Sequence, residues 1–295
     1  MGYLFLSIAL FAGATKGYCG KRTSGYTNGL RDAILANIIR LLLCMMIGFS
    51  LILAAGDLKQ LAPSRDMLLI SLLSGASTAV FLVTWLISVK KGAYMMLDIF
   101  LTMGVLIPLV ASNIFFHEVI RLSQWIGIAV LFAAVVIMCS YNNSIKARIT
   151  PASFVLLILC GAANGIADFS QKLFTIRIPE GSTAVFNFYT YVFAALVLIV
   201  SFAVTGKTEP TGSKSTLKHI FGYILIMALC LFANSYFKTL AAGQLKAVLL
   251  YPLNQGCSLI LSAIMAAVLF KEKITIKAVI GICTTFVGLL IINVL

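Results

Sequence analysis

The sequence predicts an all-α integral membrane protein of ten transmembrane helices arranged as a 5+5 inverted-topology repeat, and three observations carry this reading. First, 61% of the 295 residues are hydrophobic, only 11% are charged, and the mean hydropathy is +1.06. So little polar surface cannot cover a water-facing globule, which makes lipid the natural solvent for most of the chain. Second, there are ten apolar runs, each near the roughly 20 residues needed to cross about 30 Å of hydrocarbon. Third, Phe116–Gly127 (FHEVIRLSQWIG) reads almost as a copy of Phe270–Gly281 (FKEKITIKAVIG), 154 positions later. With an odd number of spans in each half, two copies of one unit must lie upside down relative to each other, as in many secondary transporters.

The spans fall near 2–20, 34–55, 67–89, 92–114 and 122–141 in the first half, and near 152–172, 184–206, 218–240, 243–269 and 275–294 in the second. The first starts at Gly2 without a basic leader and is interrupted by Lys16, so it reads as a span and not as a cleaved signal peptide. Most linkers are short. The longest, 206–217 (GKTEPTGSKSTL), is rich in Gly, Pro, Ser and Thr and too short to hold a soluble domain. Residues 1–141 form the first five-helix repeat, 142–151 the linker and 152–295 the second repeat. Matched residues run in order through both: Ala79 with Ala233, Ala93 with Ala247 and Gly127 with Gly281 at the same offset, and Lys21 with Lys172 and Asn37 with Asn187 at slightly smaller ones.

The net charge of +13 does not indicate a nucleic-acid partner, because the basic residues sit mostly in short loops at helix ends, where headgroups and the positive-inside bias account for them. Odd-numbered linkers hold more of these charges than even ones, which places both termini outside. Seven cysteines are scattered in or beside apolar runs, without a CxxC pair or a His/Cys cluster, and read as small hydrophobes; no metal or cofactor is expected. There is no Walker A sequence to support ATP-driven pumping. The two histidines, His117 and His219, lie at helix ends in different regions, which weighs against an integral-membrane enzyme acting on lipid-linked substrates. A lipid scramblase is excluded less strongly. The expected partners are a small-molecule solute and membrane lipids, with the chain as a monomer or homodimer.

Charges within spans are the most informative residues, since one at mid-bilayer costs at least about 2.5 kcal/mol. Lys16, Arg40 and Asp98 lie at similar depths, about 7–9 Å from one membrane face at 1.5 Å per residue, and Asp98 is expected to neutralise one of the two bases. Asp168, Lys238 and Lys246 form a second layer toward the opposite face, although Lys238 and Lys246 are equally well explained as long stems reaching the interface. These six are the expected gating or coupling residues, and Asp168→Asn is expected to reduce transport more than protein abundance. Between the layers, Tyr251, Asn254 and Gln255 flank or follow the helix-opening Pro252, and Asn164, Ser77 and Thr78 lie at comparable depth. These six are the expected substrate-binding residues, with interhelical glue as the structural alternative for Asn164. Glu118 and Glu272, each in the short link after a fourth helix, read as structural acids serving helix-end electrostatics.

Each half thus has a Pro or polar break in its fourth helix, a Glu just after it, a short polar link and a final helix opening on Ile-Gly. The residues are Glu118, Ile126 and Gly127, then Glu272, Ile280 and Gly281, with Asn37 and Arg40 on the second helix also fitting. This pattern resembles the EamA-type members of the drug/metabolite transporter superfamily across nearly the whole chain. The sequence departs from it in carrying Asp98 where the second repeat has Pro252, and in placing Pro108 nearer the helix end. The resemblance implies a secondary transporter that moves a small polar organic metabolite by alternating access, proton-coupled or by exchange, in a bacterial inner membrane. It also implies cytoplasmic termini, opposite to the loop charges.

Overall fold

The computed structural model describes residues 1–26, 30–90, 94–140, 151–205, 214–269 and 276–294. Among them the chain is helical throughout: α1 (Gly2–Ser24), α2 (Leu30–Ala55), α3 (Arg65–Lys90), α4 (Tyr94–Gly104), α5 (Leu106–Phe116), α6 (Leu122–Ser140), α7 (Pro151–Arg177), α8 (Thr183–Val204), α9 (Lys214–Gln244), α10 (Ala247–Leu269) and α11 (Ile276–Val294), with one 3-10 turn at Asp57–Leu61. Five of these contain segments long and apolar enough to cross a membrane, namely Leu30–Ala55, Arg65–Val89, Pro151–Arg177, Thr183–Val204 and Ile220–Gln244. Shorter apolar segments are Phe100–Phe116, Leu122–Ile137, Ala247–Leu261 and Val279–Asn293. The molecule is therefore an all-α, multi-pass bundle of membrane character. Its outer surface carries large exposed apolar side chains on most helices, among them Phe11, Met46, Leu69, Phe115, Val200 and Phe286, as lipid contact requires.

The expected fourth helix is two helices, α4 and α5. The interruption at Val105 has a local cause. Pro108 has no N–H, so the carbonyl of Gly104, four residues earlier, loses its helical donor. The chain tightens, with Val105 donating its N–H to Thr102 O at 3.1 Å. The freed Gly104 carbonyl lies against Gly165 of α7, and the Phe100 carbonyl against Gly161; a Cβ at either glycine would collide with that oxygen. Glycines let α4 and α7 approach backbone to backbone, as small residues do between membrane helices. We expect Gly165→Val to overpack this crossing and cost about 1–3 kcal/mol or more. A thermal melt of the purified variant that matched the parent would remove the crossing as a source of stability.

Helices of the two halves pack mainly on one another. α1 runs antiparallel to α9, with Gly2 against Leu245, Asn234 donating to Ala9 O at 2.7 Å, and the Thr23 hydroxyl 3.6 Å from the Met227 sulfur. α3 runs antiparallel to α7 in the same manner, Ile70 clustering with Phe174 and Val89 with Leu157. α6 and α11 cross through Gly127 and Gly288. α2 lies parallel to α9, with Cys44 Sγ donating to Ala228 O at 3.3 Å and Gly48 against Phe232. The largest inner clusters join α2, α3, α8 and α9 around Leu41, Leu82, Tyr191 and Phe232, and join α1, α5, α6, α9, α10 and α11 around Leu109, Leu131, Val248 and Leu289. Most of the 142–151 linker, all of 206–213, Glu272, and the side chain of Asp98 lie outside the described residues.

Candidate functional site

Polar groups inside the bundle gather where α7, α8 and α9 meet. Asn234, Ser235 and Lys238 occupy positions i, i+1 and i+4 of α9 and so project from one side of that helix. Lys238 Nζ donates to Asp168 Oδ1 of α7 at 2.5 Å, and both side chains are buried, 9% and 3% exposed. The Tyr251 hydroxyl of α10 donates to the backbone carbonyl of Asp168 at 2.6 Å, fixing the turn of α7 that carries the acid. One turn on, Gln171 Nε2 donates to Ser235 Oγ at 3.2 Å, and the Ser235 hydroxyl donates to Asn187 Oδ1 at 2.6 Å. The Asn187 amide donates to Thr183 O at 2.9 Å. Four helices are thereby joined by one buried polar chain, in which each satisfied member offsets the desolvation of the next.

The first half holds a related arrangement. Asn37 of α2 donates to Ala33 O at 2.9 Å and to Leu82 O of α3 at 3.3 Å. Its repeat mate Asn187 likewise donates four residues back along its own helix and meets the next helix of its own half through Ser235. Arg40, one turn beyond Asn37, is 3% exposed, and its Nε and Nη2 have no hydrogen-bond partner among the described residues. Lys16 lies 5.8 Å from the centre of the Phe81 ring and within Coulombic range of Arg40, Lys238 and Asp168.

This last observation links residues that were expected in two charged layers. α1 continues to Ser24, so Lys16 sits about 12 Å from its end at 1.5 Å per residue, and it faces α9 as well as α2. Lys16 is in range of both Arg40 and the Asp168–Lys238 pair, while the neighbours of Arg40 itself are Cys44 and Tyr191. Lys246 stands apart, exposed at the link between α9 and α10. On α10, Gln255 is 8% exposed and Asn254 partly buried, one half-turn beyond Pro252, and neither bonds to another described residue. Asn164 is partly buried beside the Gly161–Gly165 crossing, also without such a bond. Ser77 spends its hydroxyl on its own helix, at 2.8 Å from Leu73 O and 3.0 Å from Ser74 O, and Thr78 is partly buried next to it.

A second ion pair lies at Glu118, which the sequence marks as serving helix-end electrostatics or a loop ion pair. Lys172 Nζ lies 3.1 Å from Glu118 Oε1 and donates to Ala242 O at 3.0 Å and Leu245 O at 2.8 Å, at the C-terminal end of α9. Glu118 Oε2 accepts from Ala247 N–H at 2.8 Å, at the first turn of α10. The base meets carbonyls at a helix C-terminus and the acid meets an N–H at a helix N-terminus, each on its favourable dipole end. His117 in the left-handed region, φ 54°, turns the chain out of α5 just before Glu118. The Lys21/Lys172 repeat match was the signal that marked this lysine in the sequence. Among the described residues, no three of His, Cys, Asp and Glu gather where they could hold a metal ion.

A solved crystal structure superposes on the chain with a TM-score of 0.76 at 14% identity, covering 99% of this chain and 96% of that one; at that identity the likeness is one of fold alone. No curated protein matches the sequence. The EamA-like transporter family matches residues 152–294, the stretch that contains Asp168, Asn187, Ser235, Lys238 and the proline-broken α10. The second half of the chain is thus similar to an EamA-like transporter domain.

Proposed function

We propose that the whole chain is a secondary transporter of the drug/metabolite type, a ten-span 5+5 inverted repeat that moves a small polar organic metabolite by alternating access in a bacterial inner membrane. The observation that carries this reading is the buried Asp168–Lys238 pair, with its polar chain to Gln171, Ser235 and Asn187, inside a bundle whose outside is apolar. Burying ionised and amide groups among lipid-facing helices is costly and is usually tied to a solute or proton path. The repeat reading is supported by packing: with α4 and α5 counted as one span, exchanging the two halves turns the α1–α9 contact into the α7–α3 contact, and maps α2–α8 and α6–α11 onto themselves. Antiparallel crossings at α1–α9, α3–α7 and α6–α11 fit spans of alternating direction. Asn254 and Gln255, without a hydrogen-bond partner among the described residues and beside a proline that opens α10, supply hydrogen bonds to the solute, while Asp168 serves as the coupling or gating acid.

Uptake of solutes by purified protein in liposomes tests transport, and an imposed pH gradient tests coupling. Accumulation driven by the gradient marks proton coupling; indifference to it marks facilitated diffusion or exchange. Lipid scrambling without uptake of any solute would replace the reading. Within it, Asn254→Ala and Gln255→Ala should each remove one hydrogen bond of about 1–3 kcal/mol and weaken solute binding roughly five- to 150-fold, with folding intact. Unchanged affinity in both variants would move the binding site away from α10.

A further inference from the structure

We infer that Arg40 and Lys16 form the anchor for an oxyanion, so that the solute is a small organic anion held by its carboxylate or phosphate group. The inference rests on the transport reading and deepens it by giving the solute a chemical class. Arg40 reaches the interior from α2 with 97% of its surface covered, and two of its three guanidinium nitrogens are fully buried without an acceptor among the described residues. Its electrostatic neighbours are the Cys44 thiol and the Tyr191 phenol, and the Tyr191 hydroxyl is already directed at Leu231 O, 3.4 Å away. Lys16 on α1 is in Coulombic range of Arg40 and adds a second positive charge. Among the described side chains, the one acid in range of Lys16 is Asp168, and its carboxylate is taken by Lys238 at 2.5 Å.

Among the described side chains no free acid therefore meets either base: the buried Arg40 guanidinium has none, and the partly buried Lys16 has only the Phe81 ring and an acid already paired with Lys238. Unanswered buried charge is strongly unfavourable and persists where a ligand completes it. The guanidinium fork fits two oxygens of a carboxylate or phosphate at once, and an ammonium beside it adds a point charge and further donors. A cationic solute finds no open acid there, because admitting it would mean displacing Lys238 from Asp168. A zwitterionic amino acid meets the same obstacle at its ammonium group. The charge count thus favours a dicarboxylate or a phosphate monoester. The rival partner for Arg40 is the carboxylate of Asp98 on α4.

The test uses the full-length protein in detergent, melted in sodium phosphate, acetate, succinate and glycerol phosphate, each against chloride at equal ionic strength and against glycerol, alanine and choline. Stabilisation by the oxyanions, strongest for succinate or glycerol phosphate, is expected, since a ligand that binds only the folded state raises its apparent stability. Arg40→Gln should abolish it, and Lys16→Gln should weaken apparent affinity about tenfold or more. With no ligand present, Arg40→Gln should melt at or above the parent temperature, because an unpaired buried charge has been removed. No stabilisation by any of the oxyanions would overturn the site. So would an Arg40→Gln variant that melts lower and is restored by adding Asp98→Asn, which would show a structural pair. Oxyanion binding without uptake in liposomes would defeat the transport reading and leave the site standing; uptake of cationic or neutral solutes alone would do the reverse.

Discussion

Asp168→Asn is expected to remove transport and to lower the yield of folded protein, because it leaves the Lys238 ammonium buried without its carboxylate. Breaking such a pair by deleting one partner typically costs about 3–5 kcal/mol, whereas replacing both members with groups of similar volume is often neutral. The double variant Asp168→Asn, Lys238→Met should therefore recover abundance and melting temperature. It should not recover transport if Asp168 carries the coupling or gating charge. This separates two roles that the single variant confounds. The expectation from the sequence, that transport falls more than abundance, applies to the double variant and less cleanly to the single one, since Lys238 sits 2.5 Å from the acid. Measurement of uptake per folded molecule decides: a double variant as active as the parent would make Asp168 a structural acid, and a double variant that fails to fold would show that Tyr251 and Asp168 hold α7 through more than charge.

The all-α, multi-pass character of the fold was legible from hydropathy, and the parts that were not share a physical reason. Apolar runs mark where a helix crosses, and every expected span coincides with a helix or with the α4–α5 pair. Facing is another matter. In a membrane bundle the lipid side and the packed side are both apolar, so the amphipathic periodicity that orients helices in water-soluble proteins is weak. Which runs are helical was therefore readable while partnership was not. Asp98 was expected to neutralise Lys16 or Arg40, and its side chain lies outside the described residues; what the sequence did not show is that α1 packs on α9 and brings Lys16 into the field of Asp168 and Lys238. The break before Pro108 was visible as a proline, yet the close contact that exploits it depends on Gly161 and Gly165 from a helix more than fifty residues away. Asn37 and Asn187, noticed as a matched pair in the sequence, are residues through which α2 reaches α3 and α8 reaches α9.

Lys172→Met is expected to have the other large effect, and to reveal how one side of the bundle is held shut. Lys172 collects the carbonyls of Ala242 and Leu245 where α9 ends, and Glu118 accepts the Ala247 N–H where α10 begins, so their pair clamps the link between these helices to α7 and to the α5–α6 link of the opposite half. In Lys172→Met the Glu118 carboxylate loses its counter-charge while two helix-end carbonyls lose their donor, a loss of about 3–5 kcal/mol for a pair of this burial. In alternating access, a contact that bridges the halves near one face must open when that face opens. Its removal should then shift the population toward the open form and also reduce stability. Glu118→Gln keeps the acceptor for Ala247 N–H and should show the same shift with a smaller loss of stability. The measurement is labelling by a membrane-impermeant thiol reagent at a cysteine placed at Leu245, in a background freed of the native cysteines. Faster labelling from one side in both variants, with slowed net transport and nearly unchanged solute affinity, is the expected outcome. Unchanged labelling with a lowered melting temperature would make the pair a static clamp, and a large loss of solute affinity in Glu118→Gln would place recognition at this face instead of at the midplane amides of α10.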